Sequence, residues 1–305
     1  MRGTIYYQTS QLVKCIFFHN AKKGEKVDPS SNAYQHVSSF KTMETYRRIW
    51  NNLGLFIKDE YAIKNLEQIE ACHIESYMLS KSEKRISKQY LEKISSALGK
   101  LEIALTKFSH TISKKEKSYD FSIRESLIDQ LRKTTLVYDG YHNRAYEDPL
   151  AIISLMQKEE HQLAARIQLC SGTRFEGIGL IHPKQCIGET VDQVTQQKVF
   201  AVETKEKGGK IGAIHLGGAL YNELMLHLML YPKFKVHYQS YINDIRQACQ
   251  QLYIPSEGSH GFRWCYAQNR IRESQQHGMT YEQALLQVSH EMKHNRISIS
   301  EHYLG

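Results

Sequence analysis

Apolar residues recurring at three- and four-residue steps constrain this chain most, because they commit it to packing amphipathic helices. From Lys41 onward, Met43, Tyr46, Trp50, Leu53 and Ile57 fall on one helical face, with Thr42 placed as an N-cap. A second helix is expected over roughly Ala71 to Leu79, and a third from about Ser87, where Leu91, Ile94, Leu98, Leu101 and Leu105 form the stripe. The outer faces carry Arg47, Arg48, Lys81, Lys84, Arg85, Lys88 and Lys93. Such faces serve equally as plain solvated surface or as contacts for a polyanion. The first half therefore reads as a small helical bundle.

Between Ser109 and Pro149 the periodicity weakens and Lys114 to Ser118 is polar throughout, which puts a domain boundary in this stretch, with one further helix around Ser122 to Arg132. A long helix is then expected from Pro149 to Leu169, followed by Ser171-Gly172-Thr173-Arg174. Next comes a strand-rich region. Val199 to Glu203 and Ile211 to Leu216 flank Lys207-Gly208-Gly209-Lys210 and read as a β-hairpin with glycines at its tip. Ala219 to Leu252 is mostly helical with a break at Pro232, and helices at Arg263 to about Gln276, Tyr281 to Met292 and Ile299 to Tyr303 complete a largely α second domain. Residues 1–37 hold an apolar piece, with a short strand expected at Thr4 to Tyr7 and a helical face at Leu12, Val13, Ile16 and Phe17, and then a polar stretch, Asn20 to Ser31. This segment either packs on its own domain or forms an arm for nucleic acid.

The 305 residues exceed one typical domain, so two domains plus a terminal segment are expected. Forty Lys and Arg against thirty-two Asp and Glu give a formal charge of +8, which permits a polyanionic partner without requiring one. The six cysteines lie far apart with no C-x-x-C pair, which suggests neither a zinc site nor a disulfide framework and suits reduced cytosolic thiols. Cys15 to Phe18, the longest apolar run near the start, is too short for a signal-peptide core or a membrane span, so a cytoplasmic location is expected.

Chemistry concentrates in four separated places: Arg174 after S-G-T, the hairpin lysines Lys205, Lys207 and Lys210, the H-G-F-R run of His260 and Arg263, and M-K-H (Met292 to His294) followed nine residues later by Tyr303. A guanidinium grips two phosphate oxygens and keeps its charge as anionic charge grows. Lysine near other cations is suited to protonate a leaving alkoxide. His260 and Arg263, three residues apart at the start of a helix, share one face. A phenol titrates near ~10, so Tyr303 as a nucleophile needs a base and a cationic site.

In this order and spacing, the four elements resemble the catalytic domain of the tyrosine recombinases, the phage-integrase and Xer-type family, over roughly Asp148 to Gly305. The resemblance implies a mainly α fold with a small antiparallel sheet or hairpin in the catalytic domain, arranged as a two-domain clamp on DNA. It implies an N-terminal segment (1–37), a helical core-binding, SAM-like domain (38–120), a linker region (121–147) and a catalytic domain (148–305). Arg174, Lys207, His260, Arg263, His294 and Tyr303 would be catalytic, with Tyr303 the nucleophile. Lys205 and Lys210 compete with Lys207 as the acid, and His294 is preferred to His290 by its spacing from Tyr303. DNA contacts would come from Arg47, Arg48, Lys84, Arg85, Lys88, Lys205 and Lys210. Two positions depart from the family pattern: Gly177 stands where an acidic residue usually follows the first arginine, and Lys293 stands where glycine usually precedes the histidine.

The activity implied is site-specific cleavage and rejoining of DNA through a 3′-phosphotyrosyl link, with no metal, ATP or other cofactor, for integration or excision of a mobile element. The implied partners are duplex DNA bearing a recombination site, three further copies of the chain in a tetrameric synapse, and an accessory DNA-bending factor; no membrane is involved, and the location is cytoplasmic, at the nucleoid. Coupling between subunits is expected through the helix before Tyr303 or the N-terminal segment. The alternatives are a type IB topoisomerase-like enzyme, which generally has lysine at the position of His260, and a non-catalytic DNA-binding protein of the same fold.

Overall fold

The structure is a computed structural model and describes residues 1–18, 31–84, 86–134, 142–206, 209–294 and 298–304. Its contacts divide the chain into two units, Met1–Gly140 and Tyr141–Gly305.

The first unit contains α1 (Ile5–Ile16), α2 (Phe40–Tyr61), α3 (Ala71–Glu83), α4 (Lys88–Phe108) and α5 (Ile123–Thr134). The stripes read from the sequence form its core: Trp50, Leu53 and Ile57 of α2 meet Leu91, Ile94, Leu98, Leu101 and Leu105 of α4, all fully buried. The Trp50 indole N–H donates to the Ala97 carbonyl at 2.8 Å, which satisfies its only polar atom.

Three local expectations change here. Thr4 to Tyr7 is not a strand, because the Thr4 hydroxyl accepts from the Tyr7 N–H at 3.2 Å and caps α1 instead. α1 then lays Ile5, Leu12 and Ile16 onto α2 and α4, so this segment packs on its own domain. The cap of α2 is Ser39 rather than Thr42, whose N–H the Ser39 hydroxyl accepts. Finally, Leu127, Ile128 and Leu131 of α5 lie in the core of this unit, so part of the stretch 121–147 expected as linker is built into the bundle.

In the second unit the helix expected from Pro149 to Leu169 is two, α6 (Pro149–Leu155) and α7 (Glu159–Ser171). The break is made by buried Asp244, which accepts from the backbone of Gln157 at 2.9 Å and Lys158 at 3.3 Å and from His161 Nδ1 at 2.7 Å. A distant carboxylate supplies the acceptors that the start of α7 lacks. After α8 (Phe175–Ile178), β1 (Leu180–Ile181) leads to an antiparallel sheet of β2 (Cys186–Val191), β3 (Lys198–Glu206) and β4 (Lys210–Leu216), in that order. The hairpin is the one expected, with Glu206 opposite Lys210 at its tip. Then come α9 (Gly218–Leu230), β5 (Phe234–Lys235), which pairs with β1, α10 (Tyr238–Gln251), α11 (Ser259–Gln276), α12 (Tyr281–Glu291) and α13 (Ser298–Glu301). α11 is central: it packs against both α7 and α12, which brings the ends of those helices to its own first turns. Among the described residues no helix is long and apolar enough to cross a membrane.

Replacing Trp50 with alanine is expected to destabilise the first unit by about 3–5 kcal/mol, through lost burial and the cavity left behind. Urea denaturation followed by circular dichroism should show the midpoint falling.

Candidate active site

Arg263, in the first turn of α11, points inward and is 1% exposed. A guanidinium stays charged and only donates, so its buried N–H groups need acceptors. Nη1 donates to the Gly172 carbonyl. Nη2 donates to the Met292 carbonyl at 2.7 Å and to His294 Nε2 at 2.8 Å, and Nε donates to the Tyr303 hydroxyl at 3.3 Å. Two of these acceptors are carbonyls just past the ends of α7 and α12, where helical carbonyls lack internal partners. Gly172 ends α7 in the left-handed region (φ 61°), and a Cβ there would stand 2.2 Å from the Tyr266 ring. The glycine of S-G-T-R is thus required twice, for its backbone and for its missing side chain.

His294 is buried beside Arg263. Since arginine cannot accept, Nε2 must do so, which leaves the hydrogen on Nδ1 to donate to Ser300 Oγ at 2.8 Å. Burial, then the charges of Arg263, Arg174 and Lys210, push its pKa down to about 3 and keep the ring neutral. The Tyr303 ring, 7% exposed, stacks on His294 with centroids 5.6 Å apart and meets Trp264 at 5.0 Å. His290, by contrast, is exposed on the last turn of α12. His260 stands exposed at the start of α11, and desolvation by the protein around it, followed by the charges of Arg144, Arg263 and Arg174, holds its pKa below the ordinary value.

Arg174 precedes α8, and its Nη1 donates to Glu206 Oε2 at 2.8 Å. Among the described residues its Nε and Nη2 edge makes no hydrogen bond, and the side chain is 21% exposed. Glu206 Oε1 accepts from Thr173 Oγ1 at 2.9 Å and pairs with Lys293 Nζ at 3.0 Å. Lys210 reaches in from the hairpin to the Lys293 carbonyl. Three cations, Arg174, Arg263 and Lys293, therefore act on one carboxylate, Glu206, and a fourth, Lys210, joins the described cluster through the Lys293 carbonyl. That excess of positive charge suits an incoming anion with several oxygens.

Of the residues expected from sequence, Arg174, Lys210, Arg263, His294 and Tyr303 meet in this cluster, and His260 borders it. Lys207 and Arg85 lie outside the described residues. Lys205 faces the solvent side of β3. In the first unit, Arg47 donates to the Tyr6 carbonyl at 3.0 Å and ties α1 to α2, Arg48 pairs with Glu44 one turn away, and Lys84 and Lys88 are exposed. Glu206, Lys293 and Thr173 were not anticipated. The available signal was alternation along β3: Val202, Thr204 and Glu206 share the buried face, and a carboxylate at an inward position needs a cation.

No protein-family model matches the chain, and no curated protein matches it in sequence. Solved structures do. The XerH site-specific recombinase bound to its difH substrate aligns with a TM-score of 0.57 at 17% identity, covering 98% of this chain and 91% of that one. A lambda integrase dimer bound to a COC′ core site gives 0.58 at 14% identity, covering 88% and 73%. The Tn1549 transposon integrase in complex with circular intermediate DNA gives 0.52 at 12% identity, covering 99% and 95%. The chain has the tyrosine recombinase fold.

Two outcomes are expected. His294 should show no imidazole titration by NMR between pH 8 and 5. Because its folded pKa lies below its unfolded one, it contributes stability that is present above about 6.5 and lost as the pH falls toward about 3. Gly172→Ala should destabilise the second unit by about 1–3 kcal/mol, read as a lower denaturation midpoint, since both the left-handed backbone and the Tyr266 ring oppose a Cβ.

Proposed function

We propose that this chain is a site-specific tyrosine recombinase, cleaving and rejoining duplex DNA through a 3′-phosphotyrosyl intermediate. The observation that carries the reading is the hydrogen bond from Arg263 to the Tyr303 hydroxyl, inside a cluster where the Nε and Nη2 edge of Arg174 makes no hydrogen bond among the described residues and His294 is held neutral.

The Tyr303 oxygen attacks the phosphorus, its proton passes to His260, and the bond from phosphorus to the 5′ oxygen breaks. His260 is suited to this because its lowered pKa leaves the ring neutral and able to accept at pH 7. Arg174 and Arg263 bind the non-bridging oxygens, whose charge grows as the fifth bond to phosphorus forms. The leaving 5′ oxygen takes a proton from a hairpin lysine, Lys207 or its competitors Lys205 and Lys210. One phosphoester replaces another, so the step is reversible without an external energy source. The 5′ hydroxyl of a second duplex completes the exchange by attacking the phosphotyrosine.

A full exchange uses four subunits, with the helical unit and the catalytic unit both contacting the duplex. Integration or excision of a mobile element is the biological role in this reading. An accessory protein that bends the DNA would assist assembly.

The test begins by selecting bound fragments from the DNA flanking the source element and building the selected site into a nicked suicide duplex. Wild type should form a covalent adduct, and Tyr303→Phe should bind the duplex with comparable affinity and form none. An adduct that persists in Tyr303→Phe overturns the assignment. Adducts on any duplex regardless of sequence would indicate a topoisomerase-like enzyme instead.

A further inference from the structure

The two departures from the family pattern, Gly177 and Lys293, meet at a single carboxylate. Glu206 ends β3, and both of its oxygens are engaged: Oε2 holds Arg174 Nη1 at 2.8 Å, and Oε1 takes Thr173 Oγ1 at 2.9 Å and Lys293 Nζ at 3.0 Å. Lys293 Nζ also reaches the Thr204 hydroxyl on the same strand face. A Cβ at position 177 would stand 2.4 Å from Thr173 Oγ1 and 3.2 Å from Glu206 Cγ. The network thus occupies the space that a side chain at 177 would need. An acidic residue at 177 and Glu206 in its present place exclude one another.

Lys293 holds this place at a backbone cost. It sits at φ 56° in the turn after α12, where a residue with a Cβ is strained by roughly 1–2 kcal/mol. Glycine would relieve that strain. Its side chain is 9% exposed and ends on a carboxylate with no exposed surface of its own, so the strained turn aims a buried cation at a buried anion. Burial alone would raise the carboxyl pKa of Glu206, but the charge and hydrogen bond of Lys293, with the hydrogen bond of Arg174 and the charge of Arg263, bring it below the ordinary value.

We propose that Lys293 is a positioning residue: through Glu206 it fixes Arg174 so that the Nε and Nη2 edge faces the phosphodiester, and it pins the β3–β4 hairpin to the same centre. The role is specific to a chain with glycine at 177 and glutamate at 206. It rests on the recombinase reading for its substrate and on the geometry above for the network itself. Without the Lys293 charge, Glu206 loses one of the two cations that anchor it and becomes easier to protonate, and either change moves the guanidinium it holds. A displacement of about 1 Å at a reacting centre can cost about a hundredfold in rate.

The decisive variant is Lys293→Gly, which relaxes the turn while removing the charge. On the selected nicked duplex, with the full-length chain, its single-turnover cleavage rate should fall by about ten- to a hundredfold while duplex binding stays within about twofold. The acid limb of its pH–rate profile should move to higher pH, because Glu206 then protonates more readily. Lys293→Arg, which keeps the cation, should retain cleavage within about threefold of wild type. Combining Lys293→Gly with Glu206→Gln should cost less than the two single losses multiplied, as expected for partners in one network.

Cleavage by Lys293→Gly at the wild-type rate with an unmoved acid limb overturns the proposal. So does an unchanged Glu206 carboxyl titration, read by carbon-13 NMR, in Lys293→Gly. The carboxyl titration needs no DNA. If wild type forms no adduct, the recombinase reading fails while the titration still decides whether Lys293 controls Glu206.

Discussion

A buried arginine with its donors matched organises the second unit. Arg263 is reached from the end of α7 through Gly172, from the end of α12 through Met292, and from the tail through His294 and Tyr303. An unpaired guanidinium at 1% exposure would be strongly unfavourable, so these segments are held where their acceptors can meet it. The left-handed backbone at Gly172 and the turn at Lys293 follow from that requirement, because each brings a carbonyl or a ring nitrogen to the same side chain. The residue expected to bind an anion is also the residue that closes the fold around it.

The electrostatics of the cluster follow from having few anions near many cations. Glu206 is shared by Arg174 and Lys293, which leaves one edge of Arg174 without a protein partner among the described residues. His294 is prevented from adding a further charge by its surroundings and by its hydrogen bonds, which assign its proton to Nδ1. Cations held in place by the protein's own contacts can meet an anion without rearranging.

Much of this was legible in the sequence, for identifiable reasons. Helical spacing revealed the stripes of α2 and α4 because both bury one face in a single core, and glycines between two alternating runs revealed the β3–β4 hairpin. Most residues of the Arg263 cluster could be named because short motifs tie them to particular turns. What could not be read was set by partners far along the chain. The break between α6 and α7 depends on Asp244, more than eighty residues away. The first turn of α1 had strand-like residues, Ile5 to Tyr7, but a threonine cap and contacts with two other helices decided for a helix. The anchor of Arg174 was hidden for the same reason: its carboxylate lies thirty-two residues downstream on a strand, not on the following turn of helix.

The alternation along β3 turns strand register into a selector of charge. Lys205 and Glu206 are neighbours that point to opposite faces, one to solvent and one into the cluster. A slip of one residue in the pairing with β4 would exchange them and bring a fifth cation to a centre that would then have no carboxylate to hold it. Side-chain packing tolerates many apolar exchanges, but this inversion of sign would be incompatible with Arg174 and Lys293 remaining where they are. The pairing of Glu206 with Lys210 across the hairpin tip therefore fixes more than the shape of a sheet, because it sets which electrical sign the strand presents to its own interior.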